Sequence, residues 1–210
     1  MKIIKLVNEN DAQNNYIVAT DTTAILIDGN AMVSQIEENL KMLDNKLKLS
    51  GIFLTHEHFD HIRQVDNLIA KYKCPVYISK LGKTNLYSPE KNVSVLDNPF
   101  KVTNKRQIKT FKDNEEIIVG DLTIKCFLTP GHSMGSACFV VGDNMFTGDT
   151  VFKVSVGRSD LFGGDEAVQK ISLIRIKDEL SENVENFYSG HGANFNKSEM
   201  EYNIDSFLGE

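Results

Sequence analysis

The sequence predicts a layered α/β (α+β) domain. Two observations carry that prediction: many short β-rich runs have amphipathic helices interspersed among them, and hairpin turns occur in both halves of the chain. Strand signals open at 2–7, 16–20 and 24–28, and Gly29-Asn30 stops the third. Across 32–47 the apolar residues Met32, Ile36, Leu40, Leu43 and Leu47 recur every three or four positions, which is the spacing of an amphipathic helix. A strand at 52–55 follows Gly51, and Ile62, Val65, Leu68 and Ile69 mark a second helix over 62–72. Another strand is expected at 75–78. Residues 79–113 are polar and asparagine-rich, with Pro89 and Pro99, and read as a loop with a short helix. Strands resume at 117–119, and Gly120-Asp121 turns the chain into a strand at 122–128. A second hairpin joins 137–141 to 145–147 through Gly142-Asp143-Asn144. A helix over 167–180, with Asp165 ahead of it as N-cap, a short strand at 187–189 and a closing helix at 197–207 complete the reading.

The 210 residues suffice for a real hydrophobic core and are expected to form a single domain over 1–210. The apolar fraction of 41% and charged fraction of 25% are those of an ordinary soluble protein. A net charge of −6 argues against a broad nucleic-acid-binding face, which is normally basic. Cys74, Cys126 and Cys138 are odd in number and form no C-x-x-C pair, so they read as small buried apolar residues in a reducing compartment. With no apolar signal segment at the N-terminus and no long apolar span, the expected location is the cytoplasm, away from membranes.

All five histidines fall in three short motifs. The densest is His56-Glu57-His58-Phe59-Asp60-His61, an H-x-H-x-D-H run. The others are His132 in Thr129-Pro130-Gly131-His132-Ser133 and His191 in Gly190-His191-Gly192. Each of the groups His56, His132, Asp149 and His191 comes just after a predicted strand, so strand ends along one sheet edge would bring them together. His56, His58 and Asp60 alternate, whereas His61 breaks the alternation. The break predicts a turn into the next helix, letting the side chains fan toward two adjacent points. His56, His58, Asp60, His61, His132, Asp149 and His191 make seven candidate metal ligands, too many for one tetrahedral zinc with an open position. They suit two divalent ions sharing a carboxylate and a water across roughly 3.5–4 Å. Imidazole and carboxylate without thiolate favour zinc, with iron or manganese also compatible. The glycines beside His132 and His191 would allow close backbone approach or positive φ.

These motifs, together with Phe146-Thr147-Gly148-Asp149-Thr150, resemble the metallo-β-lactamase fold superfamily in content and order. The resemblance implies a four-layer αββα sandwich with a binuclear site at one edge. It implies that His56, His58 and His132 hold the first ion, that Asp60, His61 and His191 hold the second, and that Asp149 bridges them. Gly157-Arg158-Ser159-Asp160 is similar to a run in short bacterial relatives of glyoxalase II. True glyoxalase II has a lysine and an aromatic residue there, and a further C-terminal helical domain for glutathione. This chain has Arg158 and Asp160 and ends at Glu210. Thioester hydrolysis is therefore expected more firmly than glutathione specificity.

Function follows as a set of expectations. The leading one is a binuclear metallohydrolase of glyoxalase II-like type acting on a small-molecule thioester. Hydroxide shared between two ions would attack the carbonyl, with Asp60 and Asp149 as the catalytic carboxylates acting through it. A rival is a persulfide dioxygenase with a single iron on His56, His132 and Asp149, and a further alternative is a metal-binding module without catalysis. Arg158 either contacts an anionic part of the substrate or braces its loop by pairing with Asp160. Lys153 reads as a solvated lysine, and Gly163 and Gly164 as loop.

Overall fold

The computed structural model describes residues 1–209. Among the described residues twelve strands form two six-stranded sheets. The first contains β1 (Lys2–Asn8), β2 (Gln13–Ala19), β3 (Ala24–Ile27), β4 (Leu49–Phe53), β5 (Val76–Ser79) and β6 (Ile108–Phe111), side by side in chain order. Strands β1 to β3 pair antiparallel, and β3 to β6 pair parallel. The parallel crossovers carry helices α1 (Val33–Leu43), α2 (Phe59–Ile62), α3 (Val65–Tyr72) and α4 (Lys80–Asn85). The second sheet runs β7 (Glu115–Val119), β8 (Leu122–Leu128), β9 (Ala137–Val141), β10 (Asn144–Gly148), β11 (Asn186–Ser189) and β12 (Phe195–Asn196). Only β10 and β11 pair parallel in it, joined by helix α5 (Glu166–Arg175), and α6 (Lys197–Leu208) closes the described chain.

Alternation along the strands divides the apolar residues among three cores. Ile17, Leu26 and Ile52 pack with Ile36, Leu40 and Leu68 of α1 and α3 on the outside of the first sheet. Their neighbours Tyr16, Val18, Ile25 and Phe53 point the other way and meet Ile124, Phe139 and Phe146 between the sheets. Val140, Met145 and Phe187 face Leu173 of α5 and Met200 and Ile204 of α6. Helix, sheet, sheet and helix thus form the four layers that the family resemblance implied. Each fully buried Ile, Leu or Phe contributes roughly 1.5–3 kcal/mol relative to an exposed one.

The element boundaries differ from the sequence expectation where tertiary contacts compete with periodicity. Helix α1 stops at Leu43 because Asp44 is extended and its side chain accepts the Lys46 N–H at 2.7 Å. Leu47 nevertheless packs on the outer core. The helix expected over 62–72 is two pieces: Gly29 donates to the His61 carbonyl (2.7 Å) and accepts from the Gln64 N–H (2.9 Å), which pins the break. The illegible 79–113 stretch holds α4, a 3₁₀ turn at Ser94–Leu96 and strand β6, whose central Lys109 and Thr110 are exposed. Helix α5 ends in a π turn, with the Ser181 N–H reaching Ile176 O at 3.1 Å. Asp165 caps α5 as expected, accepting from Val168 N–H at 3.1 Å.

The three cysteines are buried and unpaired, and burial pushes their thiols up to about 11, 12 and 11 for Cys74, Cys126 and Cys138. That suppresses thiolate reactivity. Among the described residues no helix is long and apolar enough to cross a membrane.

Candidate metal centre

Strands β3 and β4 are parallel, as are β10 and β11, and β8 runs with β10 because both are antiparallel to β9. Their C-terminal ends therefore come to one edge of the sandwich. There the chain leaves β4 into His56 and His58, β8 into His132, β10 into Asp149 and β11 into His191. The two sheets are stitched together at this edge by Ala137 N–H donating to Thr55 O at 2.8 Å. Pairing between β10 and β11 slips by one residue around Thr147, an irregularity that re-aims the chain just before Asp149. Gly190 is required by close approach: a Cβ there would lie 2.2 Å from Asp149 Oδ1 and 2.5 Å from the His61 ring.

The break in alternation after His58 is the start of α2, which carries Asp60 and His61. The fan resolves into two adjoining sets of side chains. Ligand atoms of His56, His58 and His132 lie within 4.8 Å of one another, and so do those of Asp60, His61 and His191. Asp149 lies between the sets. Its Oδ1 is 3.3 Å from His61 Nε2, and its Oδ2 is 3.5 Å from His191 Nε2 and 3.7 Å from His132 Nε2. The structure thus brings all seven predicted ligands together.

Ring orientation is set from behind. His132 Nδ1 lies 2.7 Å from Arg158 O, and His191 Nδ1 lies 3.1 Å from Ala12 O. A carbonyl only accepts, so both rings carry a proton on Nδ1 and turn Nε2 to the centre. His61 Nδ1 donates to Asp28 Oδ2 at 2.8 Å. His56 Nδ1 donates to Thr55 Oγ1 (3.1 Å), whose hydroxyl donates on to Asp28 (3.0 Å). His58 is the exception and offers Nδ1, 2.9 Å from His132 Nε2. Inside the cluster, His56 Nε2, His61 Nε2 and Asp149 Oδ1 are buried without a hydrogen-bond partner. Unpaired buried polar atoms are costly. Convergent imidazole nitrogens, backed by an outer acceptor on His56, His61, His132 and His191 though not on His58, are the arrangement metal-ligating histidines adopt. The residues present fit divalent cations.

The electrostatics follow from burial and neighbours. Burial, reinforced by the adjacent imidazoles, holds His56 well below the ordinary imidazole range and His58 at about 3. For His61 burial works in the same direction, but Asp28, Asp149 and Asp60 outweigh it and hold the ring well above that range. His191 is also raised, because its hydrogen bond to Asp60 and the charge of Asp149 overcome burial. Asp60 and Asp149 are pulled below the usual carboxylate range: burial opposes this, and the imidazoles, His61 foremost, prevail.

Three residues serve the site without having been singled out in the sequence. Asp28, 1% exposed and at φ +63°, orients His61 directly and His56 through Thr55. It follows strand β3 just as the ligands follow theirs, which is the signal that could have found it. Glu57 is fully buried between two ligands and accepts from Asn85 Nδ2 (2.8 Å) and Ser133 Oγ (3.0 Å), tying α4 and the His132 loop to the motif. Asn14 grips the His191 loop, its N–H donating to Gly190 O and its side chain to Ser189 O. A buried Gln13-Asn14-Asn15 run at the head of a strand is the sequence trace of that grip. Arg158 stands in the wall of the cleft above the ligands, but its Nε and Nη2 donate to Asp160 at 2.6 and 2.7 Å. Its carbonyl is what reaches His132. Lys153 pairs with Glu199 at 3.2 Å on the surface.

Fold and centre define an α/β/β/α protein that gathers imidazoles and carboxylates for divalent cations at one sheet edge. The chain belongs to the metallo-β-lactamase superfamily, whose family profile matches residues 9–191. It is 33% identical over 176 residues to the probable polyketide biosynthesis zinc-dependent hydrolase PksB of Bacillus subtilis, covering 84% of this chain and 69% of that one. The probable metallo-hydrolase YqgX of the same organism is 31% identical over 183 residues, 85% and 84% of the two chains. The crystal structure of the BLEG-1 B3 metallo-beta-lactamase superposes with a TM-score of 0.83 at 28% identity, covering 96% of this chain and 98% of that one.

Proposed function

We propose that this protein is a metal-dependent hydrolase of small-molecule thioesters. One observation carries the reading: back-hydrogen-bonded imidazoles aim their lone pairs, with Asp60 and Asp149, at the floor of an open cleft lined by His58, Asp60, His132 and Asp149. A structural metal site would be closed by its ligands, whereas this one faces solvent-accessible space. The donor set suits zinc, with iron or manganese compatible, and the relatives named as a zinc-dependent hydrolase and a metallo-hydrolase support hydrolysis and zinc.

His56, His58 and His132 would hold one cation and Asp60, His61 and His191 a second, with Asp149 between them. Bound there, the cations supply a water acidified toward neutral pH and Lewis acidity for the carbonyl oxygen. The chain's own groups do the rest. Asp28, Arg158 O and Ala12 O keep the imidazoles in the tautomer that leaves Nε2 free. Asp60, held ionised by His61 and His191, lies beside the cleft and can take the proton released as water adds to the acyl carbon. The new C–O bond replaces the C–S bond, and the proton ends on the departing thiolate. A thiol pKa of about 8.5 lets that group leave without a strong general acid. The partner in this reading is a small molecule and not a nucleic acid, in keeping with the net charge of −6. The three buried unpaired cysteines suit a reducing cytoplasm.

The test pairs metal analysis of natively purified protein with turnover of S-lactoylglutathione and simpler thioesters. About two zinc or mixed ions per chain with thioester cleavage is expected. No turnover with both cations bound would refute the proposal. A single iron with oxygen consumption would assign the chain to persulfide oxidation instead.

A further inference from the structure

The cleft over the ligands has a volume of about 470 Å³, and its walls away from the ligands are Phe59, Val93, Leu96, Phe152 and Leu161. Arg158 is the one cation among the lining residues, and Asp160 already occupies its guanidinium on two nitrogens. Asp160 takes two of its five N–H donors and offsets its charge, so the cleft holds no uncompensated side-chain cation for a substrate carboxylate.

Val93 stands in an unusual conformation for its type. It is a β-branched residue at φ +64°, in the left-handed region that such side chains rarely adopt. Backbone strain of this kind persists where its surroundings over-determine it, and it gathers at functional sites. The surroundings do so here. Phe59 N–H donates to Asn92 O at 2.9 Å, and Ser94 N–H donates to Asn92 Oδ1 at 3.0 Å. Asn92 Nδ2 and Ser94 Oγ both donate to Phe100 O, at 3.0 and 2.9 Å, and the Phe100 N–H returns a bond to Ser94 Oγ. Arg63 lies over the rings of Phe59 and Phe100, 5.0 and 5.4 Å from their centroids, and pairs with Asp97 at 2.7 Å. Although Val93 is buried, it belongs to none of the three cores. Leu96, on the 3₁₀ turn that follows, is 68% exposed at the cleft lip. A braced and strained segment therefore places two aliphatic residues, buried Val93 and exposed Leu96, in the cleft lining.

We propose that Val93 and Leu96, with Phe59 beside them in the cleft lining, form an acyl-binding wall that selects thioesters of uncharged aliphatic acids over those carrying a carboxylate. The proposal rests on the thioester-hydrolase reading above and specifies its substrate class. The leaving thiol is left open by it.

The experiment uses metal-loaded protein and N-acetylcysteamine thioesters of acetate, butyrate, hexanoate and succinate. Burying each methylene favours the longer chain, so kcat/KM is expected to rise about tenfold or more from acetyl to hexanoyl, with succinyl lowest. Leu96→Asp, a change at an exposed position, should collapse the hexanoyl-to-acetyl ratio. A second readout needs no turnover: S-hexyl-N-acetylcysteamine, a thioether, should bind more tightly than its S-ethyl counterpart by calorimetry, and lose that advantage in Leu96→Asp. A flat chain-length profile, or preference for succinyl, would overturn the acyl wall while leaving thioester hydrolysis standing. Tight thioether binding without turnover of any thioester would uphold the wall and overturn the hydrolase reading. No turnover of any thioester together with equal binding of the two thioethers would overturn both.

Discussion

The two halves of the ligand cluster are built from similar side chains and have opposite electrostatics. His56, His58 and His132 meet with no carboxylate of their own, and burial keeps His56 and His58 neutral. Asp60, His61 and His191 sit among three acids, counting Asp28 behind His61 and Asp149 beside it, and their imidazoles are held in the protonated direction. The first half offers lone pairs without charge, and the second offers charge already balanced by its own protons. A cation entering the first half meets neutral donors. One entering the second must displace protons that the acids retain. The halves are joined at two points, through Asp149 between them and through Asp28 beneath them.

Changes at those joints should have the largest effects. Asp149→Ala removes the carboxylate shared by both halves, and both cations should be lost together. Activity should fall by more than the about 10–100-fold typical of losing an outer-shell partner. Metal content after gel filtration checks this, and retention of one full equivalent would show that the halves are independent. Asp28→Asn comes next. Affinity should drop by about 10–100-fold in the His61 half and by less in the His56 half, which Asp28 reaches only through Thr55. Chelator competition resolves the two steps, and equal weakening would contradict the asymmetry.

Stripping the cations from the unaltered chain should lower its melting temperature. Each site held at 100 times its Kd adds about 2.7 kcal/mol of stability, so calorimetry with and without chelator gives the size of the effect. Gly190→Ala forces a methyl against Asp149 Oδ1 and the His61 ring, with an expected destabilisation of about 1–3 kcal/mol read by denaturant unfolding. The smallest effect is expected for Arg158→Ala. Its side chain pairs on the surface, while the carbonyl that orients His132 is retained. Cation affinity and melting temperature should stay at the parent values, and a clear loss of affinity would mean the side chain does more than brace its loop.

Periodicity and turn residues were enough to read most strands and the principal helices, because alternation and the three-to-four spacing are properties of short windows. The same windows could not show strand β6, whose exposed Lys109 and Thr110 mask it, or β12, which is two residues long. Nor could they show the break between α2 and α3. Nothing local to Gln64 demands it, and Gly29, far away in the chain, holds both of its sides.

By itself the sequence determined the layered α/β class, the seven candidate ligands, and the fan of H-x-H-x-D-H toward two points, since residue type, spacing and the loss of alternation at His61 are local facts. Only the tertiary structure decided which atom each imidazole presents, because the acceptors that settle it come from remote segments: Asp28 for His61, Arg158 O for His132, Ala12 O for His191. It also decided that the Arg158 guanidinium is occupied by Asp160, and that Val93 and Leu96, in the least legible stretch of the chain, overlook the ligands. A side chain's type can be read along the chain. Its orientation depends on hydrogen-bond partners and packing that only the folded chain brings within reach.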